Sequence, residues 1–305
     1  VISSLKKEYV AVVYAGTDDW RNTLTDTNIF TKPFGPKSDK PKSSSSSTSS
    51  SSSSSSDKDE KGSSDLDDDT DDNEDNDEYP LSPEHVRVHA GFNNAVFKDG
   101  QFFRVLDQVR KIKSSYPHYR LFTTGHSLGA ADSILAAVAL HHYDIPSQDY
   151  KDIVSINFGC PRVGNRHWRD FVNNLHFDPY GVKVFRFVNG FDLVPRLPDV
   201  RFAHVGHTLQ MDHHHMKAFW FHEGDSDKGY SGVPFGWSTY PYALGPISFA
   251  QHFINHYVDY VSVKSLQDPD KFYVDEFEHS GKDEENEEEM FKDFLYYLDT
   301  SPFFC

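Results

Sequence analysis

Cysteine is nearly missing from this chain: there are 2 in 305 residues, Cys160 and Cys305. They lie far apart in unlike surroundings, so no disulfide framework is indicated. Long apolar runs are missing as well, and no stretch approaches the roughly 18 apolar residues that a membrane-crossing helix needs. There is no N-x-S/T sequon and no basic stripe interleaved with aromatic residues. The missing stripe excludes nucleic acid as an expected partner. The opening has no signal-peptide pattern and starts at Val1 rather than Met. Scarce cysteine and the lack of a sequon slightly favour an intracellular location. A processed or incomplete N-terminus would keep secretion open, and the compartment is left unassigned.

Positive charge is also in short supply. The formal net charge is -17. Much of that is local, because residues 57–78 hold 13 acidic and 2 basic side chains and alone contribute -11. The remainder is only mildly acidic. Before the acidic run, residues 43–56 are serine except for Thr48, and residues 33–42 carry prolines and lysines. Such a segment has too little apolar surface to offset its conformational entropy, so residues 34–80 are expected to be a disordered insertion. The domain reading is therefore 1–33, an interrupting segment 34–80, and 81–305 as the rest of the same domain.

What is present outside the insertion is regular. Residues 8–15 read as a buried strand closed by Gly16. From residue 84 onward the pattern predicts a helix over 92–115, a strand at 119–124, a helix at 128–143, a strand at 152–158, a helix at 165–175 and a strand at 182–188. Strands alternating with helices imply a parallel sheet with crossovers packed on its faces. Later, Gly245 and Pro246 break the chain, and Ser248 with Gln251 three residues on makes a capping box, so a helix is expected to begin at Ser248. Another helix is expected over 284–298.

The segment "LFTTGHSLGAADS" at 121–133 places Gly125, Ser127 and Gly129 between an expected strand and an expected helix. Glycines there allow a turn sharp enough to lift a serine hydroxyl clear of the sheet, and the turn aims the first helix amides at whatever the serine attacks. The competing reading is a tight turn with a capping serine. A serine nucleophile needs a histidine to take its proton and a carboxylate to orient that histidine, in the order Ser, Asp, His for this type of fold. Asp192 in "NGFDLVPRLP" follows a strand and a Gly190 bend, among apolar neighbours that make an ionised partner valuable. The chain has 17 histidines. His213, His214 and His215 are adjacent and lack the ligand spacing of a zinc site. His252 and His256 are four apart and would share one face of a helix.

With these residues in view the chain resembles the class 3, fungal-type lipase family. "TGHSLGAA" is similar to that family's serine segment, "FGCPRVGN" at 158–165 to its strand-loop, "NGFDLVPRLP" to its acid loop and "VHAGF" at 88–92 to the segment before its long helix. The resemblance covers about residues 8–260 apart from the insertion. It implies an α/β fold of the α/β-hydrolase type, a mostly parallel sheet with helices on both faces. It also implies Ser127 as nucleophile, Asp192 as the acid, and Thr17 and the N–H of Leu128 as the oxyanion hole. Ser248, Gln251 and His252 reproduce the family's capped approach to its histidine, which favours His252 as the base, with His256 the alternative because the family's H-x-x-Y-F continuation is not kept.

Three departures stand out. Ala15 replaces an arginine before the oxyanion residue, the insertion follows the family's lid region directly, and the strands and helix that normally precede the oxyanion strand are lacking. Trp20, Leu24 and Ile29 in "DDWRNTLTDTNIF" would be the apolar face of a lid, or an ordinary surface turn. The function implied is hydrolysis of lipid carboxylic esters, most simply triacylglycerol, at an oil or membrane interface and with no metal or organic cofactor. Phospholipids and general carboxylic esters are alternatives on the same residues. A different kind of answer is a non-catalytic interaction protein on the hydrolase fold, and a peptidase or acyltransferase on the same triad is another. Cys160 reads as a buried packing residue.

Overall fold

In a computed structural model of the chain, the described residues are 1–16, 30–36, 81–143, 145, 152–177, 181–190, 192–198, 201–212, 217–221 and 250–262. The valine-rich segment near the start forms strand β2 (Tyr9–Tyr14), preceded by β1 (Ile2–Ser4). Two short strands follow, β3 (Thr31–Pro33) and β4 (Arg87–His89), then helices α1 (Ala90–Phe97) and α2 (Gln101–Ser115). The alternation continues with β5 (Arg120–His126), α3 (Leu128–His142), β6 (Ile153–Phe158), α4 (Arg166–Phe177) and β7 (Val182–Asn189). After β7 come β8 (His207–Asp212), β9 (Lys217–Phe221) and α5 (Ile254–Ser262).

Among the described residues the main sheet has the order β1-β2-β5-β6-β7-β8-β9. Every pairing from β2 through β8 is parallel, and the antiparallel pairs are at the edges, β1 with β2 and β8 with β9. In β5, β6 and β7 consecutive residues are buried instead of alternate ones, the mark of strands covered on both faces. Helix α3 is buried at every position from Gly129 to Leu140. Its run of alanines lets it lie close to the strands, with α1 packed against it.

Four expectations change. The single helix over 92–115 is two helices, broken at Lys98–Gly100 where Asp99 and Gly100 take φ of 55° and 68°. Asp-Gly is a turn-forming pair, and that pair marks the break in the sequence. A strand does precede β2: β1 pairs with it in the register Ile2↔Ala11. Helix α5 begins at Ile254, and the expected helix start, Ser248, lies outside the described residues, so what changes is that His252 and His256 do not share one helix. His252 therefore sits in the turn that leads into α5, and only His256 is on the helix. Phe34, placed by composition in the insertion, is fully buried, with its ring 4.9 Å from Trp168 and 5.8 Å from Phe97. Asn93 holds the following turn by exchanging hydrogen bonds with the Gly35 backbone at 3.0 and 2.8 Å.

The lid residues Trp20, Leu24 and Ile29, the histidines 213–215, the expected helix at 284–298 and residues 37–80 lie outside the described residues. The packing of Phe34 leads to the first prediction. Phe34→Ala should destabilise the fold by about 3–5 kcal/mol, the usual cost of truncating a buried phenylalanine. A urea unfolding curve would check it, and an unchanged midpoint would place residue 34 with the insertion after all.

Candidate active site

Strand β5 and helix α3 are joined at Ser127, whose backbone takes φ 59° and ψ -127°. That is a costly conformation for a side-chain-bearing residue, sustained only where the surroundings hold it. The glycines on either side are what make it feasible. A Cβ on Gly125 would run into the Gly129 carbonyl, and a Cβ on Gly129 would run into the Tyr14 carbonyl and come within 2.7 Å of Ala15. The turn is pinned from below by the Ser127 N–H donating to the Phe158 carbonyl at 3.0 Å, and its first bond forward is from the Ala130 N–H to the Ser127 carbonyl at 3.0 Å. Leu128 is the first residue of α3, so its amide is among those without an acceptor inside the helix. Thr17 lies outside the described residues, but Gly16, just before it, abuts the elbow. A Cβ there would be 2.9 Å from the His126 carbonyl and 3.6 Å from the Ser127 Cβ.

The structure brings Ser127, Asp192 and His252 into one chain of hydrogen bonds. Ser127 Oγ donates to His252 Nε2 at 2.8 Å, and His252 Nδ1 donates to Asp192 Oδ2 at 2.8 Å. All three are buried, with relative exposures of 2% for Ser127, 0% for Asp192 and 2% for His252. A carboxylate only accepts, so Nδ1 is the nitrogen that donates to Asp192, and Nε2 faces the serine hydroxyl as its acceptor. His256, the alternative base, is exposed on α5 and its N–H donates to the Phe253 carbonyl at 3.0 Å. The site does not include its side chain.

Asp192 is held by more than the imidazole. Its Oδ1 accepts from the Val194 N–H at 2.9 Å, and its Oδ2 also accepts from the Tyr257 hydroxyl at 2.6 Å. These donors compensate a buried carboxylate for the water it has lost. Tyr257 is fixed in turn by accepting from the Asn189 N–H at 3.1 Å, while the Asn189 amide donates to the Gln251 carbonyl at 2.8 Å. The end of β7 thus holds both the acid loop and the turn that carries His252. Arg162, from the strand-loop motif, secures the far side of the acid loop by donating to the carbonyls of Arg196 at 2.6 Å and Pro198 at 3.0 Å.

Two members of this arrangement were not found by sequence reasoning. Tyr257 lies five residues after His252, outside the family spacing, yet its hydroxyl reaches the carboxylate from α5. His126 donates from Nε2 to the His252 carbonyl at 2.7 Å and its ring lies 4.6 Å from the His252 ring. Burial and the neighbouring His252 lower its pKa to about 4, so it stays a neutral buttress. Its position beside Ser127 in the sequence was the available signal. Cys160 is fully buried, and burial pushes its thiol up to about 12. Among the described residues no group of three or more His, Cys, Asp or Glu side chains is placed to hold a metal ion.

Comparison with known proteins follows the same residues. A secreted mono- and diacylglycerol lipase of Gibberella zeae is 33% identical over 140 residues, which are 43% of this chain and 33% of that protein. A phospholipase A1 of Arabidopsis thaliana is 31% identical over 116 residues, 36% of this chain and 27% of that protein. The chain thus spans about a third of the length of the curated relatives it matches. A solved triacylglycerol lipase from Penicillium expansum superposes with a TM-score of 0.51 at 18% identity, covering 76% of this chain and 72% of that one, a likeness of fold. The fold is that of the α/β-hydrolases. Residues 12–202 match the class 3 lipase family, from within β2 through the serine turn and past Asp192, and the chain belongs to that family.

Proposed function

We propose that this protein is a serine hydrolase of lipid carboxylic esters, most simply of triacylglycerol. The observation that carries this reading is the unbroken Ser127–His252–Asp192 hydrogen-bond chain at a strained turn. In the reaction, Ser127 Oγ attacks the ester carbonyl carbon as His252 Nε2 takes the hydroxyl proton. Asp192 keeps the ring oriented and stabilises it while it is charged. The oxygen that becomes negative is received by the Leu128 N–H, with Thr17 as the second donor. A well-placed donor of this kind contributes about 2.7–4 kcal/mol. His252 then returns the proton to the departing alcohol. Water, activated by the same ring, attacks the acyl-serine, releases the fatty acid and restores Ser127. The residues named here supply every proton transfer.

Membership of the class 3 lipase family supports a lipid ester, and relatives that are named as mono- and diacylglycerol lipases support a glyceride. The named phospholipase A1 relative favours a second reading, in which the same residues cleave a phospholipid acyl ester.

The test is hydrolysis of emulsified triacylglycerol, phospholipid vesicles and a p-nitrophenyl ester series by the purified protein. Wild type should cleave long-chain esters. Ser127→Ala and His252→Ala should each lower kcat by roughly 10⁶, whereas His256→Ala should stay within about twofold. Loss through His256 with His252→Ala active would reassign the base, and a folded wild type that cleaves none of these substrates would end the hydrolase reading.

The contact to Asp192 generates a separate expectation. Tyr257→Phe removes one charge-assisted hydrogen bond and should lower kcat by about tenfold with KM little changed. Steady-state kinetics on a soluble ester would decide this, and a fall carried by KM would show that Tyr257 shapes substrate binding instead.

A further inference from the structure

Helix α3 carries an acid that the reaction above does not use. Asp132 is 5% exposed, and its Oδ1 is buried without a hydrogen-bond partner. The hydroxyl of Tyr14, on the strand beside it, is likewise buried and unpartnered. The two elements meet closely there, since a Cβ on Gly129 would collide with the Tyr14 carbonyl. Asp132 is four residues, about one helical turn and roughly 6 Å of rise, beyond Leu128, whose amide receives the oxyanion in the reaction proposed above. A buried carboxylic acid with so few partners is tolerable when neutral and costly when charged.

Among the described residues no ion pair offsets a charge on Asp132. Burial raises Asp132 well above the ordinary carboxylate range. Tyr14 is raised too, chiefly by burial and then by repulsion from Asp132. Cys160, which also feels Asp132, is pushed up to about 12. Of the elements packed on α3, α1 and β6 carry no ionisable side chain. The ionisable residues of β5 are Arg120 and His126 at its two ends, and His126 is held neutral. On β7 they are Lys183 and Arg186, and the Arg186 guanidinium donates to the Val205 carbonyl at 2.7 Å and to Thr208.

We propose that Asp132 is a positioning residue kept as a neutral acid, and that loss of its proton sets the alkaline limit of ester hydrolysis at Ser127. This rests on the hydrolase reading. An anion one turn behind the Leu128 amide, in a medium of low dielectric, opposes the negative charge that builds on the substrate oxygen. It acts on the transition state and so on kcat. The same ionisation loosens the packing of α3 on β2. A carboxyl whose folded pKa is raised adds stability that is complete below the ordinary aspartate value and is lost as pH rises through the raised one.

The experiment compares wild type with Asp132→Asn, which matches the acid in shape and cannot ionise. Rates on a soluble p-nitrophenyl ester are measured from about pH 6 to about pH 10, each protein normalised to its own value at neutral pH. Thermal midpoints are taken at the same pH values without substrate. Wild type should lose kcat on the alkaline side while Asp132→Asn does not, the ratio opening to roughly tenfold, and its midpoint should fall relative to the variant over the same interval. Superimposable alkaline limbs with parallel midpoints would overturn the proposal. If Asp132→Asn does not fold, Asp132→Leu is read in the same way. If folded wild type cleaves no ester, the hydrolase reading fails and takes the catalytic part of the proposal with it. The midpoints then judge the buried acid alone: divergence upholds its titration and parallel curves dismiss it.

Discussion

Backbone packed against backbone around Ser127 is the constraint on which the rest of the site depends. Gly125 faces the carbonyl of Gly129, and Gly129 faces the carbonyl of Tyr14, with no room for a Cβ at either contact. That closeness draws the first turn of α3 down onto β2 and β5. It turns Ser127 into a conformation with positive φ, directly before the first residue of α3, Leu128. A side chain at either glycine would force these elements apart. The strain at Ser127 is thus supported by three elements at once: β5 before it, α3 after it, and the end of β6 through the Phe158 carbonyl.

The acid and base are supported differently, by side chains from distant parts of the chain. Asp192 is gripped by its own loop through Val194 and by Tyr257 from the last described helix. His252 itself lies outside helix α5. It sits in a turn, and its position comes from Asn189 holding the Gln251 carbonyl and His126 holding its own. Each of these bonds is modest in net worth. Together they remove the freedom that a turn residue would otherwise have, and they leave the imidazole a single orientation between carboxylate and hydroxyl.

Much of the fold was legible because its signals are local. Strands β2, β5, β6 and β7 and helices α3 and α4 fall within a residue or two of their expected ends, since apolar runs bounded by turn residues mark them directly. The break between α1 and α2 was written as Asp99-Gly100 but was outweighed by the apolar periodicity on both sides. Phe34 looked like part of a polar, proline-bearing segment until Trp168 and Phe97 closed around it. Strand β8, with the polar sequence HTLQMD, exists by pairing with β7 and β9, so nothing in its own pattern announced it.

The sequence by itself determined the serine turn, the order of strands and helices, and the place of Asp192, because each depends on neighbours a few residues away. Tertiary structure settled between the two candidate histidines. Sequence context favoured His252 but kept His256 as an alternative; in the structure His252, in the turn before α5, is buried against Ser127, and His256, on α5, is exposed. Tertiary structure also decided that Tyr257 completes the carboxylate's shell and that Asp132 is shut away from water. Those outcomes rest on contacts between residues tens to more than a hundred positions apart, and such contacts exist only once the sheet has assembled.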